Sequence, residues 1–206
     1  MARKTKEEAE KTRLSILNAA LDTFDEKGFN QTTLTDIATR AGVTRGAIYW
    51  HFKDKVDIVA KLRDQMEVEL GERGPVGRVD SFENLNSVEE LVQAFLSYFA
   101  ILESDERYEK FYRFSIYKVE YTEEMQSILD REKKMTTGAL YSLTRGIEQL
   151  IEKGVVGKEL DSARCARSII AFTWGIIELW IFDRTIMSLQ DEGAEFLSAH
   201  IRRICV

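Results

Sequence analysis

A single proline, two cysteines and two histidines in 206 residues exclude several kinds of protein. With Pro75 alone to break helices and few alternating apolar–polar runs, the chain has little of what a strand-rich fold uses, so an all-α fold is expected. Cys165 and Cys205 lie far apart, without a CxxC neighbour or a nearby histidine, which leaves no disulfide framework and no zinc ribbon. Two reduced thiols are the ordinary expectation, a redox-sensing pair its rival. His51 and His200 give a histidine-based active site few candidates, and no nucleophile–base spacing, metal-ligand cluster or phosphate loop stands elsewhere. Neither an enzyme nor a bound cofactor or metal is therefore expected. No apolar run approaches the roughly 20 residues that span a bilayer; the longest, residues 169–182, is interrupted by Thr173, Gly175 and Glu178. The N-terminus is charged with no apolar stretch behind it, unlike a signal peptide. A cytoplasmic protein with no membrane partner is the expectation.

The charge is divided rather than absent. The net charge of −6 is opposite in sign to what nucleic-acid binding asks for, yet residues 1–63 hold 12 Lys+Arg against 9 Asp+Glu, net +3, and the other 143 hold 17 against 26, net −9. Basic residues gather at Arg3, Lys4, Lys6, Lys11 and Arg13, and again at Arg45, Lys53 and Lys55. A local positive field is what phosphate binding requires, and the N-terminal arm is a candidate for it; a frayed, solvated tail is the alternative.

Between these clusters lies the segment richest in chemistry, TTLTDIATRAGVTRGAIYWHFKDK, residues 32–55. Thr33 can cap a helix beginning at Leu34, with Asp36 favouring its positive end. Leu34, Ile37, Ala38 and Ala41 form one apolar face, and Gly42 supplies a turn that needs a left-handed backbone. Thr44 can cap a second helix over about 45–52, with Val43, Ala47, Ile48 and Phe52 inward. Arg45, Gly46, Tyr49 and Trp50 are left outside or at its edges. Two helices joined by a tight glycine turn place the second in a DNA major groove. There Arg45 can pair bidentately with guanine, Gly46 lets the backbone approach, and Tyr49, one turn on, offers a ring and a hydroxyl. Thr33, Thr44, Trp50 and His51 can donate to phosphates. Lys55, opening the next helix after its cap Asp54, adds an ammonium near a helix N-terminus.

The spacing T-x(4)-A-x(2)-A-G-V-x(2)-G-x(2)-Y-x-H-F-x(2)-K, from Thr33 to Lys55, resembles the DNA-binding signature of the TetR family of bacterial transcription regulators. Residues 1–29 and 41–55 closely resemble its multidrug-efflux repressors, the AcrR-like group; beyond about residue 60 only length and helical layout are similar. The resemblance implies that Thr33, Thr44, Arg45, Gly46, Tyr49, His51 and Lys55 are the DNA contacts. Trp50 is added from its position on the helix.

Helical periodicity, caps and breakers predict about nine helices. The first runs over about 7–27, with Leu14, Leu17, Leu21 and Phe24 on one stripe and Gly28 ending it. The fourth runs from 55 to about Leu70. A Gly/Pro/Asn-rich loop, 71–86, is expected to be mobile. Ser87 and Glu90 form a capping box for a helix over about 88–103; others follow at about 105–119, from Thr122 to Lys153 before Gly154, and at 162–187 after Asp161. The last starts at Asp191 and ends near Ile204. The domains expected are 1–54 for DNA binding, 55–70 as a connector helix, and 71–206 for ligand binding and dimerisation.

Nine of the 21 aromatic residues lie between Phe95 and Tyr121. On composition alone they read as core. The resemblance implies instead a pocket for a bulky hydrophobic effector of the drug, dye or bile-acid type; helix spacing then puts Phe95, Phe99, Tyr112 and Ile116 on its walls, Met66 below, and Leu140 and Trp174 at the far side. Glu178, in AFTWGIIELWIF, needs a partner if buried; a place at the edge of a dimer bundle, paired with Arg202 or Arg203 of the last helix, is one reading, a cationic effector the other. Residues 169–182 and 196–204 are apolar on more than one face, which predicts burial against a second copy of the chain. A two-fold dimer then predicts a palindromic operator, read by recognition helices roughly 34–36 Å apart. The expected function is a dimeric repressor released from DNA by a hydrophobic compound, controlling an efflux pump. Its rivals are a helical small-molecule- or partner-binding module without DNA function, and a regulator that activates.

Overall fold

In the computed structural model, which describes residues 6–73, 82, 84–120 and 122–205, the first helix is α1, Lys6–Gln31. Ile16, Leu17, Ala20, Leu21 and Phe24 form its buried stripe, and the stripe ends where expected. Gly28 has φ 77 and ψ 169, a conformation that a side chain would strain. The break turns Phe29 inward, where its N–H donates to the Lys118 carbonyl at 3.1 Å. Arg3 and Lys4 of the basic arm fall outside the described residues.

Short helices α2, Leu34–Ala41, and α3, Arg45–His51, follow. Next come α4, Lys55–Arg73; α5, Val88–Ser104; α6, Glu106–Tyr117; a 3₁₀ turn, Glu123–Met125; and α7, Gln126–Glu152. The chain closes with α8, Ser162–Phe182, a π-type turn, Leu189–Gly193, and α9, Ala194–Ile204. Among the described residues there are nine α-helices and no strand.

The packing divides into two units: Met1–Met66 with Arg107–Asp130, and Glu67–Glu106 with Arg131–Val206. α4 and α7 each contribute to both. In the first unit α6 is fastened to α1 by charge. Arg113 donates Nε and Nη2 to the two carboxylate oxygens of Asp25 at 2.8 and 2.6 Å, and Nη1 to Glu109 at 2.5 Å. Lys118 donates to the Asp25 backbone carbonyl, and Lys110 to Asp22 at 2.9 Å. Burial pushes the Asp25 carboxyl up, but the Arg113 bonds and charge, with Lys118, outweigh it and hold it below its ordinary range. Phe24 stacks on Phe114 beside this cluster, with ring centres 5.0 Å apart.

In the second unit Ser87 caps α5, its hydroxyl accepting from the Glu90 N–H at 3.1 Å, while Glu90 reaches back to the Asn86 N–H at 2.7 Å. Of the loop expected to be mobile, residues 74–81 and 83 lie outside the described residues. Its end is pinned. Phe82 stacks on Phe95 with centres 5.4 Å apart, and Lys153 donates to the Leu85 carbonyl at 2.6 Å. Gly146 of α7 makes room for this: a Cβ there would stand 2.6 Å from the Phe82 carbonyl oxygen.

Four expectations are corrected. α8 ends at Phe182 rather than 187, because Asp183 leaves helical geometry and its carboxylate accepts from the Thr185 N–H and hydroxyl at 2.8 and 2.7 Å, closing a local turn. The last helical segment starts at Leu189, after its cap Ser188, rather than at Asp191; the Ser188 hydroxyl accepts from the Asp191 N–H at 3.2 Å. Glu103 of α5 adds its carboxylate there, accepting from the Leu189 and Gln190 N–H groups at 3.2 and 3.0 Å, a favourable charge for a helix start. Glu178 is exposed and so needs no buried partner, and Arg202 pairs with Glu89 at 2.9 Å. Lastly, α8 is long and apolar enough to cross a bilayer by length and composition, with a mean hydropathy of 1.5 over 18 residues, since Thr173, Gly175 and Glu178 dilute it too little. In this chain 44% of that window is buried inside the protein, as in a core helix.

What α8 leaves uncovered is apolar. Phe172, Trp174, Leu179 and Phe182 are 38, 43, 48 and 72% exposed, and Phe196 of α9 is 45% exposed. His200 of α9 stacks on Phe172 with ring centres 4.3 Å apart. Ile169, Ile176, Ile177 and Trp180 point the other way into the core, with Leu197 and Ile201.

Candidate nucleic-acid interface

The helix-turn-helix is built by its caps. Thr33 and Asp36 form a reciprocal capping box: the Thr33 hydroxyl accepts from the Asp36 N–H at 3.1 Å, and the Asp36 carboxylate accepts from the Thr33 N–H at 2.9 Å. Lys27 donates to Asp36 at 2.7 Å. That bond, followed by those from the Thr33 hydroxyl and backbone, holds the Asp36 carboxyl far below the usual carboxylate range. Gly42 has φ 65 and ψ 30, the left-handed conformation that ends α2, and its N–H returns to the Ala38 and Thr39 carbonyls. Thr44 then opens α3 by accepting from the Ala47 N–H at 3.2 Å. The next cap is Asp54, whose carboxylate accepts from the Asp57 N–H at 2.8 Å.

With both ends fixed, α3 buries Ile48 and the following Phe52 and turns its other face to solvent. Tyr49 is 51% and Trp50 73% exposed. Arg45 lies one turn before Tyr49, and its Nη2 donates to the Tyr49 hydroxyl at 2.9 Å. Gly46 is open: the nearest heavy atom to an added Cβ is the Thr44 hydroxyl oxygen at 3.8 Å. Trp50 meets the half-buried His51 ring edge-to-face at 4.6 Å. Thr44, Arg45, Gly46, Tyr49 and Trp50 are thus brought onto one exposed surface, with His51 at its edge.

Two of the sequence-expected contacts face elsewhere. The Lys55 ammonium donates to the Phe29 carbonyl at 2.7 Å and stands 4.3 Å from the centre of the Phe29 ring. Desolvation there lowers its pKa. It braces the turn that Gly28 creates. The Thr33 hydroxyl donates to Asp36 at 2.7 Å, so its hydrogen is engaged within the cap. Thr44 uses its oxygen as an acceptor and keeps its hydrogen for a donor's role.

The residues expected around an effector divide between the two units. Met66, Tyr112 and Ile116 belong to the first unit, and Phe95, Phe99, Leu140 and Trp174 to the second. Met66, Phe95 and Phe99 are at most 4% exposed. Tyr112, Ile116 and Leu140 are half-buried, and Trp174 lies on the exposed α8 face rather than on an inner wall. Tyr121, counted with the aromatic cluster, falls outside the described residues. Sequence reasoning missed the Asp25–Arg113–Glu109 cluster, whose only sequence signal is the Glu109/Arg113 spacing of four, and the Ser142 hydroxyl and Trp180 indole nitrogen, both buried without a hydrogen-bond partner.

A capped two-helix unit that exposes an arginine, an open glycine and two aromatics on its second helix defines a DNA-binding transcription regulator. Residues 16–62 match the model of bacterial regulatory proteins of the tetR family, and residues 83–205 that of the C-terminal region of MAATS-type transcriptional repressors. The chain belongs to the TetR family, whose members are transcription regulators rather than enzymes. It is 35% identical to the HTH-type transcriptional repressor BepR of Brucella suis over 98% of this chain and 96% of BepR. Among solved structures it is similar to NalD of Pseudomonas aeruginosa, the secondary repressor of the MexAB-OprM multidrug efflux pump, with a TM-score of 0.80, 27% identity, and coverage of 96% of this chain and 98% of NalD. It is also similar to SmeT in its triclosan complex, with a TM-score of 0.80, 25% identity, and coverage of 93% and 90%. This is a TetR-type transcriptional repressor related to repressors of efflux pumps.

Proposed function

We propose that this repressor binds a palindromic operator as a homodimer, is released by a hydrophobic small molecule, and controls a multidrug efflux pump. The observation that carries the DNA half is the outer face of α3, where Arg45, Gly46, Tyr49 and Trp50 stand in solvent on a helix capped at its start by Thr44. Arg45 reads bases and, with Tyr49 beside it, sets which sequence is read; Thr44, Trp50 and His51 meet phosphates. Thr33 and Lys55 set the pose of α2 and α3, and reach phosphate only by giving up the bonds that now hold them.

The dimer is formed by the uncovered faces of α8 and α9. Phe172, Leu179, Phe182 and Phe196 are large apolar side chains of the kind that a two-fold contact buries. Trp174 and Glu178 belong with that face. A two-fold dimer presents two copies of α3 to two half-sites of one operator.

The efflux half rests on kinship with NalD and SmeT, and on SmeT being held with triclosan. The effector contacts proposed here are Phe95, Phe99 and Leu140. Phe95 and Phe99 are packed in the core of this state, so a compound reaches them only in another arrangement. That difference in affinity between two arrangements is what a ligand needs to shift the population and lower operator affinity.

The test is a footprint on DNA flanking the gene for this chain, with and without hydrophobic drugs, dyes and bile acids. A protected palindrome that one compound releases is the expected result. No protection at any salt concentration would overturn the reading.

A further inference from the structure

Arg45 is held before any DNA arrives. Its Nη2 donates to the Tyr49 hydroxyl at 2.9 Å, and its guanidinium carbon lies 5.5 Å from the centre of the Tyr49 ring, within the roughly 6 Å at which a cation is drawn to an aromatic face. The two residues are four apart on α3, which puts them one above the other. Both are exposed, so neither contact is forced by core packing.

The choice of a phenol has consequences that a carboxylate would not. There is no acidic residue in the first turn of α3. A carboxylate partner would orient the arginine but cancel its charge and repel phosphates. The tyrosine hydroxyl orients it and leaves the charge intact. A guanidinium has five N–H donors. Whichever Nη2 hydrogen the tyrosine takes, one two-pronged edge remains, either the two Nη groups together or Nε with Nη2. Such an edge matches O6 and N7 of guanine. The tyrosine's own hydrogen stays available for a nearby acceptor. Gly46 adds no side chain beside the arginine, and its surroundings are open.

Resting on the DNA-reading assignment above, we propose that Tyr49 is the positioning residue for Arg45, holding its guanidinium so that one edge is presented to a guanine in each half-site. Tyr49 thereby sets how sharply guanine is preferred there. A long side chain that is already oriented loses less freedom on binding, so it discriminates more than a free one.

The experiment selects sites for the full-length chain from random-sequence duplex DNA, then measures affinity for the selected site with guanine and with 7-deazaguanine at each guanine position. The parent should enrich a symmetric site with a guanine that Arg45→Ala no longer prefers, a loss of roughly tenfold or more in discrimination. Tyr49→Phe, which keeps the ring, should lower that same preference by about three- to tenfold. Its loss of affinity for non-cognate duplex should be smaller than its loss for the selected site. In the Arg45→Ala background Tyr49→Phe should change the preference no further. Tyr49→Leu, which has apolar bulk without an acceptor, should repeat the effect, and serves if the phenylalanine variant fails to fold. The role is overturned if Tyr49→Phe keeps the full guanine preference, weakens all sequences equally, or acts undiminished without Arg45. If the parent enriches no site at all, the DNA-reading assignment falls and this role with it.

Discussion

Two faces of this chain carry large side chains into solvent, and they are built in opposite ways. On α3 the exposed residues are Arg45, Tyr49 and Trp50, polar or amphipathic, on a seven-residue helix fixed by the Thr44 side chain and the buried Ile48. On α8 and α9 they are Phe172, Leu179, Phe182 and Phe196, wholly apolar, on helices whose opposite sides bury Ile169, Ile177, Trp180 and Leu197. A face of the first kind can stay in water until a charged polymer arrives. One of the second kind is uncovered hydrophobic surface that favours association with a copy of itself. The same division appears in what supports each unit. The first unit fastens α6 to α1 through Arg113, Asp25 and Glu109. In the second, Glu103 of α5 holds the start of the last helical segment, and α8 meets α9 mainly through apolar side chains, with Ser168 and His200 3.1 Å apart among them.

The largest effect should come from breaking the polar support of the first unit. Arg113→Met takes from Asp25 and Glu109, each 8% exposed, the cation that bonds them both, leaving Lys118 beside Asp25. Removing one partner of a buried charge group costs about 3–5 kcal/mol, which urea unfolding would read. A loss below about 1 kcal/mol would mean that α6 and α1 are held by Phe24–Phe114 stacking and its neighbours instead. The pH dependence has a definite sign. Asp25 titrates lower in the folded chain than its ordinary value of about 4. Its contribution is complete above that value and is lost as pH falls through the folded pKa. The parent should therefore lose this stability on acidification, and Arg113→Met, with Lys118 alone beside Asp25, should lose less of it.

The legible and illegible parts of the sequence follow the same physics. Caps act within three or four residues, so Thr33 with Asp36, Thr44, Asp54, Ser87 and Asp161 could all be read from the chain, and each caps the helix expected of it. The candidate DNA surface was legible for that reason, being folded from one short segment. Arg113 reaches Asp25 across 88 positions, and no periodicity announces such a pair. Glu103 at the start of the last helical segment is equally remote, and the start expected at Asp191 lies at Leu189. Side-chain direction was the other blind spot. Helical spacing put Trp174 on an inner wall, and a helix start with the resemblance put Lys55 beside phosphate, whereas Lys55 turns to Phe29 and Trp174 to solvent.

A somewhat smaller effect should come from the apolar face. Phe182 is 72% exposed, so Phe182→Glu alters little inside the chain. If α8 and α9 form the dimer, a buried charge there should weaken association by about 2–4 kcal/mol, the loss typical of a central contact. Sedimentation should then show monomers at concentrations where the parent is dimeric, with an unchanged helical circular dichroism spectrum. A variant that remains as dimeric as the parent would place the interface elsewhere and leave this face without its proposed partner.

The smallest change in stability gives the sharpest contrast between the two roles of a surface. Gly46→Ala adds one methyl group to α3 where the nearest heavy atom is 3.8 Å away. Folding should be unharmed or gain about 0.5–1 kcal/mol, because alanine is the better helix former. Operator binding should nevertheless fall, since the methyl stands on the surface that must approach the groove, beside Arg45. Thermal unfolding and filter binding on the same preparation would read the two signs together. Tighter folding with weaker binding assigns Gly46 to contact with DNA. Equal binding would mean that the α3 backbone never comes close, and that Arg45 and Tyr49 reach the bases from further out.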